Sequence, residues 1–158
     1  MSERFKNPEE RNLLPVGITG FRGPKDPPLS ILSEKDFRRM CHAIGRENGR
    51  PVTEVDTSIT GRNFYYGKLG GQGAPVYLLQ NIHYPCGAFA LRDAFGTFTL
   101  VDRPEGFRLP EGCIHFLSLA QLNWDWHGLC EKLGAEEWEQ IRYWKPQTVG
   151  EIIFNHWD

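Results

Sequence analysis

The sequence predicts a single α+β domain built on an antiparallel sheet of about five strands. Five β-rich segments follow one another between residues 51 and 102 with only turns between them, and strands that succeed one another without helices pair antiparallel. One amphipathic segment precedes them at 33–48, and helix-like segments follow from 114 onward. At 158 residues the chain buries about 68–70% of its unfolded surface, so it folds without needing a disulfide or a metal.

Residues 1–32 contain "LPVGITGFRGPKDPPLS". So much Pro and Gly reads as an irregular arm packed on the domain through Leu13, Leu14, Ile18 and Phe21. Residues 33–158 form the domain itself. In "SEKDFRRMCHAIGREN", Ser33 and Asp36 have capping-box spacing, with Asp in place of Glu. Phe37, Met40, Cys41 and Ile44 form one apolar stripe, and Gly49 supplies a stop. Lys35, Arg38, Arg39, His42 and Arg46 fall on the opposite face. A solvated basic face is the plain reading; an acidic partner or nucleic acid is the sharper one.

The strands come next. "PVTEVDTSI" alternates and is rich in Val and Thr. "RNFYYGKL" and "APVYLLQNI" flank "GGQG" as a hairpin would. "GAFALRD" and "GTFTLVD" extend the sheet, and "DRPEGFRLPEG" turns out of it. "IHFLSLAQL" leads from a short strand into a helical turn, while "WDWHGLCEKLG" and "AEEWEQIRYW" are expected to be helical. After Pro146, Thr148 and Glu151 form a second capping box. Val149, Ile152, Ile153, Phe154, His156 and Trp157 then cover roughly 200° of the wheel. This predicts a closing helix that lies against the sheet, on the same side as the 33–48 helix.

Composition narrows the function classes. A formal net charge of −2 argues against a dedicated binder of nucleic acid or acidic membranes. "MSERFKNPEER" lacks the apolar core of a signal peptide, and the longest apolar run is far too short to span a bilayer. A cytoplasmic protein with free thiols is expected.

Three short His/Cys pairs raise the question of zinc: His83 with Cys86, Cys113 with His115, and His127 with Cys130. None has a standard ligand spacing, so no metal and no cofactor is expected. "GKLGGQG" lacks the Walker spacing and precedes a strand, so a hairpin loop is expected there. Neither G-x-S-x-G nor H-E-x-x-H is present. In "NWDWHG", Asp125 stands between Trp124 and Trp126 as an N-cap for the segment that follows. Glu131, Glu136, Glu137, Glu139, Glu151 and Asp158 make the last third acidic, with Lys132, Arg142 and Lys145 in partial opposition.

Small size, mild acidity and 13% aromatic residues, with no evident catalytic set, give a profile that resembles bacterial immunity proteins as a class; no residue motif carries the likeness. It implies a non-enzymatic protein that neutralises a toxin by occluding its active site, the partner being a protein such as a cationic toxin. Trp124, Asp125, Trp126, Glu136, Glu137, Trp138 and Tyr143 are the candidate partner-binding residues. The alternative is a small enzyme or ligand-binding domain with a site built from His83, Cys86, His127 and Asp125. The second alternative is binding of nucleic acid or an acidic partner through the basic helix face.

Overall fold

The computed structural model describes residues 12–157. The first eleven residues of the expected arm, and Asp158, lie outside the described residues. Helix α1 (Glu34–Glu47) begins where Ser33 Oγ accepts the Asp36 backbone N–H at 3.2 Å. Five strands follow: β1 (Val52–Asp56), β2 (Phe64–Leu69), β3 (Val76–Asn81), β4 (Cys86–Arg92) and β5 (Phe98–Val101). They pair antiparallel in sequence order, and the two-residue β6 (His115–Phe116) adds a short parallel pairing to the start of β4. Three short helices close the fold: α2 (Leu119–Leu122), α3 (Ala135–Trp144) and α4 (Val149–Ile153).

The sheet is covered on both faces. Tyr65, Leu69, Leu78 and Phe89 pack against Phe37, Cys41 and Ile44 of α1. Phe64, Tyr66, Tyr77, Leu79, Ala88 and Ala90 point the other way, into a larger cluster with Leu14, Ile18, Leu122, Ile152 and Phe154. The expectation that α1 and the C-terminal helices share one side is therefore corrected. The signal lay in β3, whose six residues are all buried; a strand apolar on both faces needs two cover layers. Glycine sets both approach distances. A Cβ on Gly67 would sit 2.6 Å from Cys41 Sγ on α1. One on Gly150 would sit 2.7 Å from Leu100 Cδ1 and 3.1 Å from the Leu122 carbonyl.

Residues 12–32 contain neither helix nor strand, yet Leu14 and Ile18 are fully buried. This segment is held by buried side chains. Glu137 accepts hydrogen bonds from the backbone N–H groups of Gly17 and Thr19 and from the Thr19 hydroxyl. Asn63 and Asn81 both donate to the carbonyls of Ile18 and Ile153, so they join the arm, the sheet and α4 at one point.

Two helical expectations fail for local reasons. Residues 124–134 form a chain of turns: Leu129 N–H reaches Trp126 O and Leu133 N–H reaches Cys130 O, with Gly128 at φ 84° inside the first of them. Helix α4 stops at Ile153 rather than running to the terminus. Asn155 ends it by donating its side-chain amide to Thr19 O and Ile152 O, while its backbone N–H goes to Asn63 Oδ1. Phe154 still enters the core at 8% exposure. The "GGQG" segment is a hairpin loop, with Arg50 donating to the carbonyls of Gly70 and Ala74. No helix among the described residues is long and apolar enough to cross a membrane.

Candidate functional site

The Trp-Asp-Trp-His stretch turns its indoles inward and its polar groups outward. Trp124 and Trp126 are half-buried against the larger core cluster, and the Trp126 indole N–H donates to Pro146 O at 2.7 Å. Asp125 is exposed. Its carboxylate accepts the His127 backbone N–H at 2.9 Å and also meets the His127 ring at Nδ1. That ring stacks on Trp126 with centroids 3.8 Å apart. Asp125 therefore shapes a turn and does not cap a helix.

Helix α3 divides the remaining candidates. Glu137, expected on an acidic face, is 1% exposed. Beyond its bonds to residues 17 and 19 it accepts the Gly134 N–H at 3.1 Å, capping its own helix. A carboxylate committed in this way presents no charge to a partner, which corrects its placement in the binding surface. Glu136 and Trp138 are half-buried, and Trp138 packs edge-on against Trp126 at 6.0 Å. Tyr143 stands 75% exposed. On the wheel it lies five residues from Trp138, about 140° away, on the side turned away from the core that Trp138 packs against.

The alternative constellation does not converge. His83 bonds the Ser30 carbonyl through Nδ1 at 2.7 Å and lines a cleft with Ile31 and Ile59. Cys86 lines a different cavity of about 420 Å³, beside His115, its register neighbour on β6. His127 and Asp125 form the exposed turn described above. Burial pushes the Cys86 thiol up to about 12, so it is protonated near neutral pH and a poor nucleophile. Cys130 is buried, with its thiol also at about 12. Among the described residues no three His, Cys, Asp or Glu side chains gather as a metal site. On α1, Lys35, Arg38, Arg39, His42 and Arg46 are all exposed, and Arg39 pairs with Asp36 at 3.3 Å.

The exposed apolar groups concentrate elsewhere. Tyr143 and Trp144 sit ring to ring at 5.1 Å, and Trp144 lies parallel to Trp157 at 6.4 Å. Trp157 then lines a cleft of about 250 Å³ with Phe21, Ile31 and Ile59. Ile31 is 55% and Ile59 is 42% exposed. The result is one aromatic and aliphatic band from the end of α3 across the chain's C-terminal segment to the 57–62 loop. Phe95 projects separately from the β4–β5 turn at 93% exposure, its N–H held by Asp93 Oδ1. Sequence reasoning missed Trp144, Ile31, Ile59 and Phe95. A signal existed for Ile59 and Phe95: each is a lone large apolar residue among small and polar neighbours. Comparison of the chain with models of protein families, with curated proteins and with solved structures finds no match.

Proposed function

We propose that this protein is a non-enzymatic binding domain that neutralises a protein partner by covering it, as an immunity protein covers the active site of a toxin. The observation that carries this reading is the continuous band of Tyr143, Trp144 and Trp157 bordering the Ile31–Ile59 cleft. Large rigid aromatics beside a recess are the usual anchors of protein interfaces. A grouped apolar surface is also costly to leave in water and marks an interaction site more often than scattered residues do.

The band is held ready for contact. The Trp144 indole N–H donates to Gln140 Oε1 at 2.9 Å, one helical turn back. Fixing that rotamer in advance lowers the ordering cost of association. Glu131 and Glu139 stay exposed near the same end of the chain and favour encounter with a cationic partner, where charge sets rate more than affinity. Of the residues expected at the interface, Tyr143 belongs to the band, while Trp124, Trp126 and Trp138 are half-buried against the larger core cluster.

Co-expression with the toxic product of a neighbouring gene tests the proposal. The full chain is expected to restore growth. The Tyr143→Ala/Trp144→Ala double variant is expected to lose rescue while its melting midpoint stays close to that of the parent, since exposed substitutions change stability by about 0.5 kcal/mol each or less. Binding should weaken by about 2 kcal/mol or more if these are anchors. No rescue by the parent chain, or equal rescue by the folded double variant, removes the proposal.

A further inference from the structure

We propose that the cleft beside the aromatic band seats one tyrosine side chain of the protein partner, its ring against Ile31, Ile59 and Trp157 and its hydroxyl donated to His83 Nε2. This deepens the reading of the band as a partner surface and rests on it.

The cleft measures about 250 Å³. Ile31 and Ile59 are its exposed apolar side, and Thr19, Asn63 and Asn155 are its buried polar lining. Apolar walls with a few polar groups suit an aromatic ring that carries a polar tip. The buried acceptors are already in use. Thr19 Oγ1 takes the Phe21 N–H at 3.3 Å, Asn63 Oδ1 takes the Asn155 N–H at 2.8 Å, and Asn155 Oδ1 takes the Trp157 N–H at 3.2 Å.

His83 is the exception. It lines the same cleft, and its Nδ1 meets the Ser30 carbonyl at 2.7 Å. A carbonyl only accepts, so Nδ1 carries the proton and Nε2 of the neutral ring is an acceptor. Among the described residues Nε2 has no hydrogen-bond partner. The residue is held from both ends, since its backbone N–H donates to Asn81 Oδ1 at 2.8 Å. Gly20, also in the lining, leaves the approach to Nε2 open: a Cβ there would stand 3.6 Å from that atom. An acceptor fixed before contact lowers the ordering cost of association.

Interface anchors are most often Trp, Tyr or Arg. No Asp or Glu among the described residues lines the cleft, so an arginine would bury its charge unanswered. The one guanidinium in the lining, that of Arg62, already pairs with Asp56 at 2.6 Å, so the cleft does not call for an anion either. The occupant is therefore neutral and brings a donor. A tyrosine carries that donor at the tip of a single ring, which a recess of this size admits end-on. An indole is wider and carries its N–H on the flank.

The probe is p-cresol titrated into the full chain at about pH 8, where imidazole is ordinarily neutral, with the His83 ring and Trp157 indole resonances followed by NMR. Both are expected to shift saturably. 4-Fluorotoluene has the same shape without the donor and should bind about fivefold more weakly, the share of one neutral hydrogen bond. His83→Phe should close that gap. Ile59→Glu, at an exposed position of the wall, should weaken both probes. The subsite is overturned by no saturable shift or by equal affinity for the two probes in the parent chain, neither of which needs a variant to fold. It is equally overturned by a gap that persists in His83→Phe, by unaltered binding in Ile59→Glu, or by 3-methylindole binding more tightly than p-cresol. No partner enters the measurement, so its failure is read apart from a failed rescue.

Discussion

Glu137 and Thr19 are joined side chain to side chain across 118 residues, with the Thr19 hydroxyl 2.5 Å from Glu137 Oε2. The same carboxylate takes the N–H groups of Gly17, Thr19 and Gly134. It thus ties residues 12–20 to the start of α3 within one buried site.

Replacing Glu137 by Ala leaves three backbone donors without that acceptor, and each buried unsatisfied group costs about 1–3 kcal/mol. Glu137→Ala is expected to lose about 3 kcal/mol or more in urea unfolding, and Glu137→Gln less, because its amide oxygen still accepts. A loss below about 1 kcal/mol would mean that water replaces the carboxylate without difficulty.

The C-terminal segment makes a second prediction. Asn155 donates to Thr19 O and Ile152 O and takes the Trp157 N–H on Oδ1. Asn155→Ala should cost about 2–3 kcal/mol by leaving buried acceptors unmatched. Truncation after Thr148 removes Val149, Ile152, Ile153 and Phe154 from the core. Burying such side chains contributes about 1.5–3 kcal/mol each, against a whole-domain stability of about 5–15 kcal/mol. The truncated chain is expected to be insoluble; a soluble product with a cooperative melt would contradict the packing described.

These two residues also mark the limit of what the sequence discloses. The five main strands, α1 and the Thr148–Glu151 cap were readable because apolar period and cap spacing are local properties. Glu137 looks like any charged residue in a first helical turn, and its burial depends on donors near residue 18. Asn155 ends α4 through Asn63 and Thr19, which no window around 155 contains. Residues 124–134 carry helix-like apolar spacing, but the Asp125–His127 turn and Gly128 prevent it from propagating. At the candidate surface, Tyr143 was among the expected partner-binding residues, but the sequence did not separate it from the half-buried indoles beside it. Trp124, Trp126 and Trp138 could not be assigned, because an indole suits a core and an interface equally well.

Thiol chemistry supplies the third prediction. Burial raises the Cys41, Cys86 and Cys130 thiols to about 12 from an ordinary 9.0, and alkylation proceeds through the thiolate. Cys113 is half-buried, and burial raises its pKa while Arg103 opposes the rise. In native protein at about pH 8, near the free-thiol range, iodoacetamide is expected to modify Cys113 first, and the other three only after denaturant is added. Rapid native labelling of Cys86, read by peptide mass, would show a thiolate that this environment does not favour.

His156 gives the pH dependence. Folding lowers its pKa from an ordinary 6.5, through burial first and then through repulsion by Arg62 and Arg92. On acidification the unfolded chain takes up this proton before the folded one does. The stabilisation from keeping the ring neutral is therefore complete above about pH 6.5, and it is lost as pH falls through the lower, folded value. The comparison is between the parent and His156→Gln. The difference in their unfolding free energies should be flat above about pH 7 and should shrink in favour of the variant below that. A difference that stays constant down to about pH 5 would show that His156 titrates alike in both states, and that neither Arg92 nor the Phe64 contact disfavours its charge.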